Sequence, residues 1–280
     1  MASTQEKYER FKALHAREGA FVIPNPWDAG SSRLLSHMGF EALATTSAGY
    51  AISKGKRDSF ASLSRQEILD NAAEIVAATD LPVNADLEDG FGPTPEDCAE
   101  TIRQASTIGL VGGSIEDATG DDNAPIYEFS EAVDRVRAAA ETARDLPFLL
   151  TARAENYLHG RRDLDDTIRR LQAFAEAGAD VLYAPGLPDL EAIRRVCQSV
   201  DRPVNVVMGL SGPTWSVDQL AEVGVKRISV GGSLARYAYG ALRNAAAGVL
   251  QTGRFDYAPD AIPAAELAEL LSQEKLDERG

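Results

Sequence analysis

The chain has 280 residues, 44% of them hydrophobic and 25% charged, which is enough to bury the core of one large domain or two small ones. Its 28 basic and 43 acidic side chains give a net charge of -15 without any marked Lys/Arg cluster, which argues against nucleic acid as a partner. No apolar run has the length of a membrane span, and the charged first twenty residues do not resemble a signal peptide. We therefore expect no membrane association and a cytoplasmic location.

Apolar, strand-like runs alternate with longer helical patterns along the whole chain. No Pro/Ser-rich linker interrupts the series, so a single domain over 1–280 is expected. The predicted strands lie near 20–25, 40–47, 81–88, 110–116, 147–154, 179–184, 202–208 and 226–231.

Signals for helix starts and ends fall between the predicted strands. Ser64, Thr94 and Asp163 each stand where a side chain can cap the following helical segment. Four glycines occupy the joints between a helix and the next strand, where a left-handed cap suits glycine: Gly39, Gly109, Gly178 and Gly224. Each intervening segment is long enough for a crossover helix.

Eight βα units with strongly apolar strands predict a parallel (β/α)8 barrel of the TIM type. A Gly-x-Gly-x-x-Gly motif is missing after the first strand, which weakens the dinucleotide-binding alternative. Residues 4–17 should form a leading helix. Residues 254–280 should form a helical extension with an amphipathic helix from Ala264 to Leu276, packed on the barrel or exchanged with a neighbouring subunit.

Polar side chains collect near the carboxyl ends of the predicted strands. Because strand side chains alternate with a period of two, Asn84, Asp86 and Glu88 share one face of the third strand and should point into the barrel mouth. Barrel enzymes keep their active sites at this end. The same counting brings Thr45, Ser47, Ser114, Glu116, Thr151, Arg153, Glu155 and Asn205 to the mouth.

Several acids in one barrel mouth would repel one another unless a cation lies among them. Oxygen ligands without His or Cys favour a hard ion, Mg²⁺ or Mn²⁺, over Zn²⁺. The alternative is a solvated rim in which these acids pair with Arg153. The other titratable groups add little: Cys98 and Cys197 are expected to be buried thiols.

Seven segments resemble the isocitrate lyase/phosphoenolpyruvate mutase superfamily. In chain order they are PNPWDAGSSRLLSHMGFEALATTSAGYA (24–51), GKRD (55–58), NADLEDGFG (84–92), SIEDATG (114–120), TARAENY (151–157), GADVLYAPG (178–186) and PVNVVMG (203–209). The resemblance implies a (β/α)8 barrel whose last helix is commonly exchanged within a homotetramer. It also implies an Mg²⁺-dependent enzyme that acts on a small carboxylate substrate.

The resemblance assigns roles to particular residues of this sequence. The implied metal-site acids are Asp86, Glu88, Glu116 and, standing behind them, Asp58. The implied catalytic residues are Arg153, which would hold a substrate carboxylate, together with Glu116 and Tyr50. The implied substrate-binding residues are Trp27, Ser47, Ala48, Gly49 and Asn205.

The chain departs from the family pattern at the segment after strand four. Isocitrate and methylisocitrate lyases carry a Lys-x-Cys-Gly-His lid there, whereas this chain has ATGDDNAPIY (118–127), without cysteine, histidine or lysine. Asp122-Asn123 is only a partial match to the segment of the phosphonate enzymes. Of the three histidines, His15 and His37 are predicted on helix surfaces and His159 on a loop after strand five.

A reaction without strong protonation of the leaving fragment fits this departure. We therefore expect an Mg²⁺-dependent carbon-carbon lyase or decarboxylase that acts on a small 2-oxo or 2-hydroxy di- or tricarboxylate through a pyruvate-like enolate. The alternatives are a phosphonopyruvate-type P–C bond enzyme and a non-catalytic 2-oxo acid-binding barrel. A further alternative rests on the glycine-rich VGGSLAR (230–236), which would hold the phosphate of a sugar phosphate.

Overall fold

A computed structural model describes residues 2–58 and 62–272 of the chain. It contains eight parallel strands in the order β1-β8-β7-β6-β5-β4-β3-β2, so the predicted (β/α)8 barrel is confirmed. The strands are β1 Phe21–Ile23, β2 Leu43–Ala44, β3 Val83–Asp86, β4 Gly112–Glu116, β5 Leu149–Arg153, β6 Val181–Tyr183, β7 Val204–Val207 and β8 Arg227–Ser229. Each lies within a predicted strand.

The helices alternate with these strands. They are α1 Thr4–Ala16, α2 Ala29–His37, α3 Ser47–Ser53, α4 Arg65–Ala77, α5 Pro95–Thr107, α6 Phe129–Ala143, α7 Leu164–Ala177, α8 Leu190–Ser199, α9 Val217–Glu222, α10 Ser233–Thr252 and α11 Ala264–Leu270. The predicted caps are present: Ser64, Thr94 and Asp163 each accept a hydrogen bond from a backbone N–H of the first helical turn. Gly178 ends α7 at φ 112°, a left-handed conformation that costs glycine little.

Asn25 closes the barrel at the carboxyl end of β1. Its side-chain Nδ2 donates to the Thr45 carbonyl at 2.8 Å, and its Oδ1 accepts from the Val230 and Gly231 N–H groups, each at 2.9 Å. The Ala44 N–H also donates to the Pro24 carbonyl at 3.0 Å. The first and second strands are therefore joined through these contacts, and the carboxyl ends of β1, β2 and β8 are held together.

The second strand ends earlier than the sequence predicts, and this changes how Ser47 is presented. The prediction of a strand over 40–47 is wrong beyond Ala44, because the Thr46 hydroxyl accepts the Gly49 N–H and begins α3 at Ser47. The third strand likewise ends at Asp86, and Glu88 lies in a turn with φ 46°. Ser47 and Glu88 therefore reach the barrel mouth from a helix and a turn rather than from strands.

Apolar side chains fill the layer between the strands and the helices, and α1 covers the amino end of the barrel. Phe11 of α1 is completely buried, and the prediction that His15 lies on the helix surface is wrong, because its ring packs between Phe11 and Phe21. Cys98 is buried and its thiol contacts the Asp89 carbonyl, while Cys197 is partly buried.

The carboxyl-terminal segment lies on the outside of the barrel. The predicted helix over Ala264–Leu276 is present as α11, which ends at Leu270, and residues 273–276 of that prediction lie outside the described residues. The Arg33 side chain of α2 donates to the Leu271 carbonyl at 2.8 Å. None of the helices in the described ranges combines the length and apolarity needed to cross a membrane.

Candidate active site

The carboxyl ends of the strands surround a cavity of about 490 Å³. Its size falls in the range of small-molecule binding sites. Side chains from nearly every strand or strand-end loop line it, including the predicted Ser47, Ala48, Asp58, Asp86, Glu88, Glu116, Arg153 and Asn205. Most of the predicted site residues therefore lie on one cavity.

Asp86 is held at the end of β3 by two neighbouring elements. Its Oδ2 accepts from the Ser47 hydroxyl at 2.8 Å and from the Ser47 N–H at 3.2 Å, at the first turn of α3. Its Oδ1 accepts from Arg153 Nη1 at 3.1 Å. A carboxylate with both oxygens engaged is fixed in orientation, and the helix N-terminus further favours its negative charge.

Arg153 is surrounded by three carboxylates. Besides Asp86, its Nη2 lies 3.0 Å from Glu116 Oε2, and its Nε donates to Glu155 Oε1 at 2.8 Å. The guanidinium also lies 5.0 Å from the centre of the Tyr183 ring. Burial lowers the pKa of Arg153, but the carboxylates of Glu116, Glu155 and Asp86 outweigh it and raise that pKa well above its usual value. Arg153 is therefore a fixed cation in the cavity.

The remaining acids are less favourably placed for ionisation. Burial, followed by the charge of Asp86, raises the pKa of Glu88 to about 8. Burial also raises the pKa of Glu116 well above its usual value, although Arg153 opposes the shift. Asp58 lies on the exposed rim, where crowding by protein atoms and then Asp86 raise its pKa. A positive charge among these three side chains would stabilise their ionised forms.

Two buried ion pairs brace the loops that carry these acids. Arg135 of α6 donates through Nη2 to the carbonyls of Asp89 and Gly92, at 2.6 and 2.8 Å, and lies 3.3 Å from Asp89 Oδ2. Arg170 of α7 donates to Asp117 Oδ2 at 3.1 Å, and Asp117 in turn accepts the Glu155 N–H at 2.7 Å. The turns after β3, β4 and β5 are thereby anchored to the helix layer.

The donor chemistry of the mouth fits a hard divalent cation. Within residues 2–58 and 62–272, no three His, Cys, Asp or Glu side chains form a ready-made metal-ligating group. Mg²⁺ commonly binds through one or two carboxylates and fills its remaining positions with water and substrate oxygens, and the carboxylates of Asp86, Glu88 and Glu116 on the lining are donors of this kind. The raised pKa values of Glu88, Glu116 and Asp58 are the further observation that favours a cation here.

Three predicted residues lie behind the cavity rather than on its lining. The Gly49 N–H already donates to Thr46 Oγ1 at 3.1 Å, and a Cβ on Gly49 would come within 3.1 Å of Trp27 Cβ. Tyr50 belongs to the buried apolar cluster. Trp27, Gly49 and Tyr50 thus support the α3 turn that presents Ser47 and Ala48. Asn205 does line the cavity, but its amide is shared between Ser229 and Arg227.

The cavity also contains groups that the sequence did not single out as site residues. Arg227 and Ser229 face inward from β8, and Arg236 projects from α10. The same period of two that located Asp86 would have turned Arg227 and Ser229 inward. His159 reaches the lining from the turn after β5, where its backbone N–H donates to the Glu155 carbonyl at 3.3 Å.

The segment that departs from the lyase pattern forms a short hairpin at the mouth. Ala118 and Ile126 make an antiparallel bridge, and the Asp121 carboxylate accepts from the Asn123 N–H at 2.9 Å. Ala118 and Gly120 contribute to the cavity lining. This hairpin therefore brings backbone and small side chains, with no titratable group, to the cavity.

The family model described as phosphoenolpyruvate phosphomutase matches residues 11–250. The chain belongs to the phosphoenolpyruvate mutase/isocitrate lyase superfamily. Members of this superfamily are lyases and mutases, and the chain is an enzyme of this group. The resemblance found in the sequence is confirmed.

Individual relatives agree with this assignment. A crystal structure of a provisionally described lyase/mutase from Burkholderia cenocepacia J2315 is 56% identical, with a TM-score of 0.93 and 96% of each chain covered. The 2-methylisocitrate lyase of Shewanella oneidensis is 27% identical over 233 residues, covering 80% of this chain and 79% of that enzyme. Phosphonopyruvate hydrolase, crystallised with oxalate and Mg²⁺, shares the fold with a TM-score of 0.85 at 22% identity, covering 97% of each chain.

Proposed function

We propose that the protein is an Mg²⁺-dependent carbon-carbon lyase or decarboxylase. Its substrate is a small 2-oxo or 2-hydroxy di- or tricarboxylate that reacts through a pyruvate-like enolate. The observation that carries the proposal is the Arg153 guanidinium among Asp86, Glu116 and Glu155 at the mouth of a barrel of this superfamily. Such a site offers a cation for a carboxylate and acids for a metal ion within one cavity.

Asp86, Glu88 and Glu116 are the residues that would hold the ion, in part through water molecules, with Asp58 on the rim beside them. Mn²⁺ suits the same oxygen donors. When bound, the ion supplies Lewis-acid stabilisation of the negative charge that develops on the 2-oxo oxygen. Ser47 orients Asp86 through two hydrogen bonds and so keeps its carboxylate directed into the cavity.

Arg153 binds the substrate carboxylate. Its guanidinium is held by three carboxylates and by the Tyr183 ring, so its position is fixed before a ligand arrives. A planar guanidinium can hold a carboxylate with two parallel hydrogen bonds, which fixes the orientation of the bond to be cleaved. Preorganisation of this kind lowers the entropic part of the barrier.

His159 moves protons at the mouth. The hairpin that replaces the lyase lid brings no titratable side chain to the lining, and Tyr50, to which the family resemblance gives a catalytic role, lies in the apolar cluster. Its place on the lining makes His159 our candidate for the group that gives a proton to the enolate carbon after the bond beside that carbon breaks.

A P–C bond reaction is the second candidate, since one fold-sharing neighbour is a phosphonopyruvate hydrolase. The enolate chemistry and the roles of Asp86 and Arg153 would be the same. The leaving group would then be a phosphoryl group rather than a carbon fragment.

The protein is further proposed to be a cytoplasmic homotetramer built through its carboxyl-terminal helices. The support is a set of large apolar side chains exposed on α10 and the segment after it: Tyr237, Leu242, Leu250 and Phe255. Light scattering after gel filtration measures the assembly, and a monomeric mass would contradict this part of the proposal.

The test of function is product analysis with purified protein in Mg²⁺ and in EDTA. Oxaloacetate, isocitrate, 2-methylisocitrate and phosphonopyruvate are offered in parallel, and pyruvate, glyoxylate and succinate are measured. Mg²⁺-dependent pyruvate from oxaloacetate identifies a decarboxylase, and glyoxylate or pyruvate with succinate from the tricarboxylates identifies a lyase. Turnover of phosphonopyruvate alone would replace the proposal by the P–C reaction.

A further inference from the structure

The partners of Arg227 differ from those of the other buried arginines. Arg135 and Arg170 each lie beside a carboxylate, at 3.3 and 3.1 Å. Arg227 is only 3% exposed, yet in the described part of the chain it contacts neutral groups alone. A buried charge without a counter-charge is costly. The position of Arg227 therefore calls for an explanation other than packing.

The Arg227 guanidinium extends across the barrel interior below the acids. Its Nε donates to Asn205 Oδ1 at 2.8 Å, and its Nη2 donates to Thr151 Oγ1 on β5 at 3.0 Å. Thr151 precedes Arg153 by two residues on the same strand, which is a rise of about 7 Å. Arg227 thus lies on the cavity floor, about one layer of side chains below Arg153.

His15 supports this floor from below without adding a negative charge. Its Nδ1 lies 2.8 Å from the Phe11 carbonyl, which can only accept, so Nδ1 carries the proton and Nε2 faces Arg227 Nη1 at 3.5 Å. Burial and then the Arg227 charge lower the pKa of His15 to about 3. The imidazole is therefore neutral at neutral pH, and the Arg227 charge is left without an opposite charge.

Two kinds of polar group on the floor have unused hydrogen-bonding capacity. A guanidinium has five N–H donors, and the three contacts of Arg227 leave one on each Nη atom. Burial lowers the pKa of Arg227 to about 9, so it remains a cation at neutral pH. Asn84 lines the same cavity, and its buried Oδ1 has no hydrogen-bond partner among the described residues. The free Nη donors of Arg227 indicate that an anionic ligand group belongs beside the guanidinium, whereas the Asn84 Oδ1 is an acceptor and requires a hydrogen-bond donor instead.

We propose that Arg227 forms a second anion subsite, which binds the distal carboxylate of a dicarboxylate whose 2-oxo acid end lies at Arg153. This inference rests on the proposed function, because it takes the Arg153 end as the reacting end. Arg227 and Arg153 line the same cavity, with Arg227 about one layer of side chains below Arg153. The cavity of about 490 Å³ is large enough for such a ligand. The substrate class is thereby narrowed to acids with two separated carboxylates.

Binding of a matched pair of ligands tests the subsite without turnover. The pair is 2-oxoglutarate and 2-oxopentanoate, which differ only in a terminal carboxylate or methyl group, measured by calorimetry with Mg²⁺. The wild-type protein should bind 2-oxoglutarate about tenfold to a hundredfold more tightly, as expected for a charge-assisted hydrogen-bonded pair. Arg227→Met should bind both ligands equally and leave the affinity for 2-oxopentanoate nearly unchanged.

The controls separate this proposal from the proposed function. Arg236→Met removes another arginine of the cavity and should keep the preference for 2-oxoglutarate over 2-oxopentanoate. If Arg236→Met loses this preference and Arg227→Met keeps it, the assignment of the subsite to Arg227 is wrong. A preference retained in Arg227→Met, or absent from the wild type, would also overturn it. If the wild type binds 2-oxopentanoate without discrimination, only the subsite fails. If it binds neither ligand, the Arg153 carboxylate site fails as well.

The stability of the free protein distinguishes the proposed subsite from a purely structural role of Arg227, because loss of a structural residue would lower the urea midpoint. Replacement of Arg227 by Met removes the cost of burying an uncompensated charge together with the hydrogen bonds to Asn205 and Thr151, so the urea midpoint of the free protein is expected to change little. A clearly lowered midpoint would assign Arg227 to the support of the barrel and contradict the subsite. If Arg227→Met does not fold, Arg227→Gln keeps hydrogen-bonding groups without the charge, and the preference must be lost in that variant too.

Discussion

The two halves of the barrel wall contribute opposite charges to the cavity. The half from β2 to β4 contributes Asp58, Asp86, Glu88 and Glu116. The half from β6 to β8 contributes the cations Arg227 and, from α10, Arg236, together with the neutral side chains of Tyr183, Asn205 and Ser229. None of the described lining residues in this half is an acid. Arg153, on β5 between the halves, is paired with the acids.

This charge separation would allow one cavity to bind both the proposed cation and an anionic substrate. Acids on one side favour a metal ion, and an uncompensated cation on the other side favours a carboxylate. The two halves also differ in their support. Buried ion pairs anchor the loops after β3, β4 and β5, whereas the cations of the other half have no such pair within the described ranges. The acidic half is therefore the more rigidly braced part.

The largest expected effect comes from removing the central acid of the acidic half. Asp86→Ala should lower Mg²⁺-dependent turnover by about a thousandfold or more, because in the proposed function the carboxylate helps to hold the ion, and it also contacts Arg153. Circular dichroism and the thermal midpoint should show that the barrel still folds. The matched control is Asp145→Ala on the exposed surface, which should be fully active. Full Mg²⁺-dependent activity in Asp86→Ala would remove the metal model.

The bracing of the acidic half is tested by Arg135→Met. Loss of the guanidinium leaves the buried Asp89 carboxylate without its partner, so the free energy of unfolding should fall by about 3 to 5 kcal/mol. Urea unfolding measures the change, and Arg144→Met at the exposed end of the same helix should change it little. Adding Asp89→Asn to Arg135→Met should recover part of the loss. An Arg135→Met protein as stable as the wild type would show that the pair does not brace the loop.

Much of the fold could be predicted because its signals are local and repeated. Apolar runs bounded by Gly and Pro located all eight strands, and Ser64, Thr94 and Asp163 marked helix starts. The early end of β2 could not be predicted, since it depends on Thr46 capping α3 rather than continuing the strand. The role of Asn25 in closing the barrel was also missed, because its partners lie far away in the sequence.

Parity predicted which side chains face the cavity but not what they contact there. Asp86, Glu116 and Arg153 were brought together as expected, since all three lie on inward positions of adjacent strands. Tyr50 and Trp27 follow the family pattern, yet they lie behind the lining, because side-chain direction within α3 and before α2 depends on packing. Arg227 faces inward by the same parity, but the neutrality of its partners depends on how α1 packs under the barrel.

Arg153 lies between the two halves, and its replacement by lysine tests whether the positive charge alone is enough or whether the planar guanidinium is also needed. Arg153→Lys keeps the cation but loses the planar fork that can bind Asp86, Glu116 and a substrate carboxylate together. We expect kcat/KM to fall about a hundredfold, mainly through a higher KM. Steady-state kinetics with the substrate identified above measure this. Arg65→Lys, outside the cavity, is the matched control. An unchanged KM would mean that the carboxylate binds elsewhere.

The smallest effect concerns the floor of the other half and depends on pH. His15 is neutral when folded because burial and Arg227 lower its pKa to about 3, whereas in the unfolded chain it regains its ordinary value near 6.5. As the pH falls, His15 is therefore protonated in the unfolded state before it is protonated in the folded state. The contribution of the neutral His15 to the free energy of unfolding is complete above about pH 6.5 and is lost as the pH falls toward 3. Between pH 7 and pH 5 the loss should be about 2 kcal/mol relative to His15→Gln, measured by urea unfolding. His37→Gln, on α2, should keep the wild-type pH dependence. If His15→Gln also keeps the wild-type pH dependence of stability, the buried imidazole does not face Arg227 in its neutral form. Another group would then have to balance the Arg227 charge.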